Sequence, residues 1–282
     1  MSSIVLISNH ESHEMDTGLV MRFQSMLKVL SAQHEVTVVV PASNGSFPDA
    51  SKTLLLDRRN LNRAIDDNEI TISRPGLLGI EQLRKFFSED KYLVVDLCNN
   101  QAVEGMYYFS QMKGRGQKKY SKMISRLRRH LFTGDYFLCN SELQRVFWLG
   151  AILTHKCVNV EYIYEDSDFT ELIANVPSGL WSKTSPERRA LQGRLIWGGG
   201  LWDWTDPEGL IRAIGRLDDE AKEVVSIRFP GIRHPDQRVP KSSKIELVKK
   251  LSKTLDVKAS FSDSWSSRED FNADLADAAI GV

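Results

Sequence analysis

The residues best suited to holding a ligand sit in one loop: Trp197-Gly198-Gly199-Gly200-Leu201-Trp202-Asp203-Trp204-Thr205-Asp206-Pro207. It follows an apolar stretch read as a strand, Arg194 to Trp197. It runs into a helix with Asp206 as N-cap and Pro207 at the first helical position. Three consecutive glycines remove every Cβ where a diphosphate can lie against backbone N–H groups. Gly199 and Gly200 are the candidates for that contact. Trp202 and Trp204 offer large rings to a base or sugar, and the Asp203 carboxylate can accept from sugar hydroxyls. The plainer reading is a glycine turn with its tryptophans docked in a domain interface. Glycines and aromatics coinciding at a strand end favour binding.

Three further loops carry candidates. Asn9 to Leu19 holds His10, Glu11, His13, Glu14, Asp16 and Gly18. Gly18 lets backbone approach a ligand at a helix start, where free N–H groups favour anions, and Arg22 lies one turn on. The alternative is a solvated polar loop with a glycine for its turn. In Pro230-Gly231-Ile232-Arg233-His234-Pro235, Arg233 can neutralise a phosphate through its planar fork, or belong to a surface turn. After YLVVDL come Asp96, Cys98, Asn99, Asn100 and Glu104. A carboxylate just past a strand, Asp96 or Glu104, can act as general base on an acceptor hydroxyl; a capping role is the commoner use. No G-x-G-x-x-G occurs, which argues against a dinucleotide-dependent dehydrogenase. Cys98, Cys139 and Cys157 show no metal-ligand spacing. Their odd count suggests reduced thiols and a cytoplasmic protein.

The elements that must position these loops alternate along the chain. Ile4–Ser8, Glu35–Pro41, Thr53–Leu56, Tyr92–Leu97 and Tyr136–Ser141 read as strands, and Thr17–Gln33 as a helix with Val20, Phe23, Leu27 and Leu30 on one face. Near-continuous apolar strands between helices predict a parallel sheet covered on both faces. Pro177 to Gly193 is rich in Pro, Gly and Ser and reads as a linker. A second alternation follows, ending in a strand over Ala279–Val282. The division expected is 1–180, a linker over 181–193, and 194–282. A doubly wound sheet needs a helix over each strand, so the last strand, read as a core strand, implies a second domain that is incomplete; the alternative is a complete small domain whose last strand lies at the sheet edge.

With 282 residues, 41% of them apolar, and 37 acidic against 37 basic side chains, the chain suits two α/β units. Its charge offers no argument for a nucleic-acid partner. The first residues lack the pattern of a signal peptide, and no apolar run is long enough to span a bilayer. One charged feature stands out. From Lys113 to His130 the chain is basic, with Lys118, Lys122, Arg126 and Arg129 at helical spacing and Tyr120, Ile124, Leu127 and Leu131 opposite. Such a helix can lean on anionic lipid, at the inner face of the membrane, or on a lipid-diphosphate acceptor. It can equally be a core helix with a solvated basic side.

Leu195 to Pro207 resembles the start of the donor domain in a branch of glycosyltransferase family 4 found in bacterial surface-polysaccharide gene sets. Tyr136 to Gly150 resembles its strand followed by a Ser-x-x-Gln-Arg-x-x-Trp-Leu-Gly helix. Val176 to Leu180 is similar to its interdomain Val-Pro-x-Gly, and Phe229 to Pro235 to its next donor-domain loop. The resemblance implies a GT-B fold, two Rossmann-like α/β domains with parallel sheets facing across a cleft. The activity it implies is sugar transfer with retention, from a nucleoside-diphosphate sugar to a glycan or lipid-linked acceptor, without cofactor or metal. By position, Gly199, Gly200, Trp202 and Asp203 would face the donor, Gly18 and Arg22 the diphosphate, and Asp96 and Glu104 the acceptor. The first loop has fewer glycines than relatives, and the family's acidic donor-site segment would fall beyond Val282. A non-catalytic module binding a nucleotide or a partner is therefore the alternative function.

Overall fold

The computed structural model describes residues 2–9, 17–41, 47–87, 90–156, 158–178, 189, 191–233 and 242–282. The chain divides into two compact units, Met1–Trp181 and Ser182–Val282.

Among the described residues the first unit holds seven parallel strands: β1 (Ser3–Ile7), β2 (Glu35–Val40), β3 (Lys52–Leu55), β4 (Ile70–Ser73), β5 (Tyr92–Asp96), β6 (Tyr136–Cys139) and β7 (Ile173–Asn175). Its helices are α1 (Gly18–Ser31), α2 (Arg58–Asp67), α3 (Ile80–Leu83), α4 (Gln101–Ser110), α5 (Gly116–Thr133), α6 (Glu142–His155) and α7 (Tyr162–Glu165). The strand order is β3-β2-β1-β4-β5-β6-β7. Alternation along each strand explains the layers, because successive side chains point to opposite faces. Ile4, Leu6, Val36 and Val38 join Phe23 and Leu27 of α1 in one core. Their neighbours Val5, Ile7 and Val39 join Leu61 and Ile65 of α2, Leu127 and Leu131 of α5, and Trp148 and Ile152 of α6 in the other. Both faces being covered is why these strands read as unbroken apolar runs. β4 and β7 give no such run: one alternates with Thr71 and Ser73, and the other has three residues.

The second unit holds β8 (Leu191–Ile196), α8 (Pro207–Ile214), α9 (Asp219–Val224), β9 (Ser226–Phe229), α10 (Lys244–Thr254), β10 (Lys258–Phe261), α11 (Arg268–Asp277) and β11 (Ala278–Gly281). Its sheet is parallel, in the order β10-β9-β8-β11. Ile211, Ile214 and Val248 close one face over Ile227 and Phe229. The other face is ionic. Arg194 of β8 reaches Asp274 at 3.1 Å and Asp277 at 3.0 Å, and Arg228 of β9 reaches Asp274 at 3.2 Å. β8 opens at Leu191, inside the stretch read as linker, most of which lies outside the described residues. Gly193 is required there: its φ is +73° and a Cβ would lie 2.3 Å from the Val224 carbonyl oxygen. β11 lies at the edge of the sheet, with Ile280 exposed.

Strand order reverses between β1 and β4 in the first sheet and between β8 and β11 in the second. Ligands of open parallel sheets bind beyond the carboxyl ends of the strands at such reversals. The glycine-bearing loops lie there: Gly18 follows β1, and Gly198–Gly200 follow β8.

Candidate functional site

In the first unit the carboxyl edge is organised by a buried ion pair that joins two candidates from separate loops. Arg22 projects from α1 and Asp96 ends β5. Nε of Arg22 donates to both Asp96 oxygens at 2.9 and 3.1 Å, and one terminal nitrogen donates to Oδ1 at 2.9 Å. The other terminal nitrogen donates to Asn140 Oδ1 at 3.1 Å and to the Val176 carbonyl at 2.6 Å. One guanidinium thus ties together α1 and the ends of β5, β6 and β7. The two side chains are only 4% and 7% exposed. Burial alone would lower the Arg22 pKa, but the Asp96 hydrogen bonds and charge outweigh it and raise it. Arg22 is a staple in this geometry, its nitrogens turned on the protein and not on a diphosphate.

Around this staple a small solvent-open pocket is lined by Ser8, Leu19, Ser73, Arg74 and Asp96 among others. It lies at the β1–β4 reversal. Arg74 was not singled out in the sequence because β4 was not recognised; its place directly after a strand was the usable signal. Beside it, Glu104 stands in the first turn of α4 and accepts from Asn99 Nδ2 at 3.4 Å. Burial pushes the Glu104 pKa up, against the opposing charge of Arg74 and the Asn99 hydrogen bond. Cys98 is pushed up to about 12, first by burial and then by the Asp96 charge, which keeps it a thiol.

The Ser-x-x-Gln-Arg-x-x-Trp pattern is the device that fixes this edge. Ser141 caps α6 through Gln144 N–H at 3.3 Å. Gln144 Oε1 accepts from the N–H of Asn140, the residue before the cap, at 2.9 Å. Its Nε2 donates to the Cys98 carbonyl at 3.1 Å, and Trp148 Nε1 donates to the Leu97 carbonyl at 3.2 Å. The loop that carries Cys98, Asn99 and Glu104 is thereby held to α6. These contacts link β5 and β6 across neighbouring strands, which sequence spacing cannot display.

In the second unit the glycine loop is anchored at both ends. Gly198 N–H donates to the Val282 carbonyl at 2.8 Å and Gly199 N–H to the Trp197 carbonyl at 3.0 Å. Leu201 is buried and Trp197 Nε1 donates to the Gly200 carbonyl at 3.3 Å. The Trp202 and Trp204 rings stack, with centroids 5.2 Å apart and planes 2° from parallel. Asp203 faces α10: its Oδ1 accepts from Ser242 Oγ at 2.8 Å and from Ser243 N–H and Oγ at 3.1 Å. Lys244 clamps the same loop through the Thr205 carbonyl and Glu208. Arg233 follows β9 beside Asp263, whose pKa falls through its Lys249 hydrogen bond and charge, with a smaller contribution from Arg233. His10, Glu11, His13, Glu14, Asp16, Cys157, His234 and Pro235 lie outside the described residues.

The glycines differ in what holds them. Among the described residues, nothing lies within 4 Å of a Cβ built at Gly18 or Gly199. At Gly200 it would meet the Trp202 ring at 3.0 Å. Neither Gly18 nor Gly199 has a positive φ. The fold itself therefore does not demand glycine at these two positions. Among the described residues no group of His, Cys, Asp and Glu could hold a metal ion.

Two parallel sheets of this order define an α/β protein of the GT-B-like class, and solved structures agree. The chain is similar to sucrose-phosphate synthase from Thermosynechococcus elongatus, with TM-score 0.64 and 10% identity over 100% of this chain and 75% of that one. It is similar to WaaG, a glycosyltransferase involved in lipopolysaccharide biosynthesis, with TM-score 0.54 and 13% identity over 96% and 72%. A third likeness is to an α-glucosyltransferase in complex with UDP and a 13-mer DNA, with TM-score 0.52 and 11% identity over 99% and 71%. At these identities the likeness is one of fold. No family model matches the chain, and no curated protein is similar to it in sequence.

Proposed function

We propose that the chain is a glycosyltransferase that moves a sugar from a nucleoside-diphosphate sugar to a glycan or lipid-linked acceptor. Retention at the anomeric carbon and a role in bacterial surface-polysaccharide synthesis rest on the resemblance of the Leu195–Pro207 segment. The observation that carries the reading is the pair of glycines, Gly18 and Gly199. Each follows the first strand of its sheet, at the strand-order reversal, and leaves open the space a Cβ would take.

The donor belongs to the second unit. Its diphosphate lies along Gly198–Gly200, where the Gly200 N–H and the charge of Arg233 stabilise the leaving group. The stacked Trp202 and Trp204 rings back the base or sugar. Asp203 supports this loop by holding it to the start of α10, which keeps the backbone preorganised. The acceptor belongs to the first unit. Gly18 keeps the α1 start open to a phosphate, and Glu104 takes the proton of the acceptor hydroxyl, a task that a carboxylate with a raised pKa performs better near neutral pH. Asp96, neutralised by Arg22, positions the edge on which Glu104 stands.

Titration calorimetry with UDP and other nucleoside diphosphates tests the donor half, and a donor-hydrolysis or transfer assay tests the chemistry. Wild type is expected to bind at least one diphosphate, and Gly199→Val to lose that binding with its melting temperature unchanged. Absence of binding to every diphosphate sinks the proposal. Binding without transfer or hydrolysis leaves the non-catalytic module.

A further inference from the structure

We propose that the outer surface formed by α5 and α6 docks on an anionic lipid bilayer. The two helices press their inner sides into one core, Leu127 and Leu131 from α5 and Trp148 and Ile152 from α6. They also touch each other. Their opposite sides therefore meet solvent next to one another, on the same side of the sheet.

The two outer sides differ in chemistry. From 113 to 133 the chain has eight Lys and Arg residues and no Asp or Glu. All eight are exposed, and among the described residues none is in an ion pair. His130 does not extend this face. It is buried, its Nδ1–H donates to the Arg126 carbonyl at 2.8 Å, and its Nε2 accepts from Gly76 N–H at 3.4 Å. The outer side of α6 is instead apolar: Leu143, Val146, Phe147 and Leu153 are 87%, 62%, 46% and 40% exposed. Surface helices of globular domains turn polar side chains outward, so an outward apolar stripe beside an unneutralised cationic one calls for a partner that uses both.

A bilayer with anionic headgroups does so. Lys and Arg meet the headgroup charge while Leu, Val and Phe enter the acyl boundary. A soluble polyanion would match the cations but leave the stripe in water. Sugar-transfer activity plays no part in this argument, so the two proposals stand or fall separately.

The test is sedimentation of the full chain with vesicles of phosphatidylcholine, alone or mixed with phosphatidylglycerol. The expected result is binding to the mixed vesicles only, weakened at least about tenfold by high salt because surface charges are screened. Lys118→Glu combined with Lys122→Glu and Arg129→Glu should abolish it. Leu143→Ser combined with Phe147→Ser should weaken it severalfold with the salt dependence retained. All five positions are exposed, and circular dichroism checks that each variant is folded. No binding to the mixed vesicles overturns the proposal. So does binding that survives charge reversal or ignores loss of the stripe, or capture on heparin without vesicle binding.

Discussion

Replacing Asp96 with alanine removes the one carboxylate that Arg22 holds among the described residues, and leaves a guanidinium that is 4% exposed without that counter-charge. The lost contacts are the three N–H···O bonds of 2.9 to 3.1 Å. The bonds to Asn140 and Val176 do not neutralise the charge. Breaking a buried pair from one side costs about 3–5 kcal/mol, because the remaining charge stays desolvated. For a unit of this size each kcal/mol shifts melting by about 2–4 °C, so a fall of roughly 6–20 °C is expected. Arg22→Met together with Asp96→Leu should recover most of it, since an apolar pair of similar volume carries no desolvation cost. Urea unfolding followed by hydrogen exchange in peptides covering 92–97 and 136–140 reports on this unit alone. A loss below about 1 kcal/mol in Asp96→Ala, typical of an exposed pair, refutes the staple. So does a double variant as unstable as the sum of the two single ones.

Other outcomes follow from the same geometry. Glu104→Gln should stabilise the first unit at neutral pH while lowering transfer. The raised folded pKa of Glu104 means its favourable contribution is full below the unfolded value and lost as pH rises through the folded one. The advantage of the variant in urea melts should therefore vanish on acidification; an advantage independent of pH would contradict this. His130 has a folded pKa lowered by burial, so stability should fall as pH drops below about 6.5, where the unfolded ring takes a proton. His130→Gln should flatten that part of the pH profile, and an unchanged slope would rule His130 out as its source. Gly193→Ala should destabilise the second unit by more than about 1 kcal/mol, whereas Gly18→Ala should be neutral or slightly stabilising in melts while weakening nucleoside-diphosphate binding. Asp203→Ala should cost about 1 kcal/mol through the lost hold on the α10 start, read by exchange in 242–254, and an effect on diphosphate affinity with no change in exchange would instead place it on the ligand.

The periodicity of the chain determined the elements, because parallel strands covered on both faces and helices with one inner side leave distinct repeats in sequence. Glu35–Val40, Tyr92–Asp96 and the helix capped by Asp206 with Pro207 at its start were all legible for that reason. β4 and β7 were not: Thr71 and Ser73 interrupt the apolar run, and three residues are too few to show a period. The glycine loop was legible as a place, since strand, glycines and helix cap are consecutive. Which groups act together was decided by tertiary structure alone. Arg22 and Asp96 are 74 residues apart, and Gln144 reaches the Cys98 carbonyl across 46. Side chains are matched by the register of neighbouring strands, not by chain distance, so a charge read as free for a ligand became one half of a buried pair.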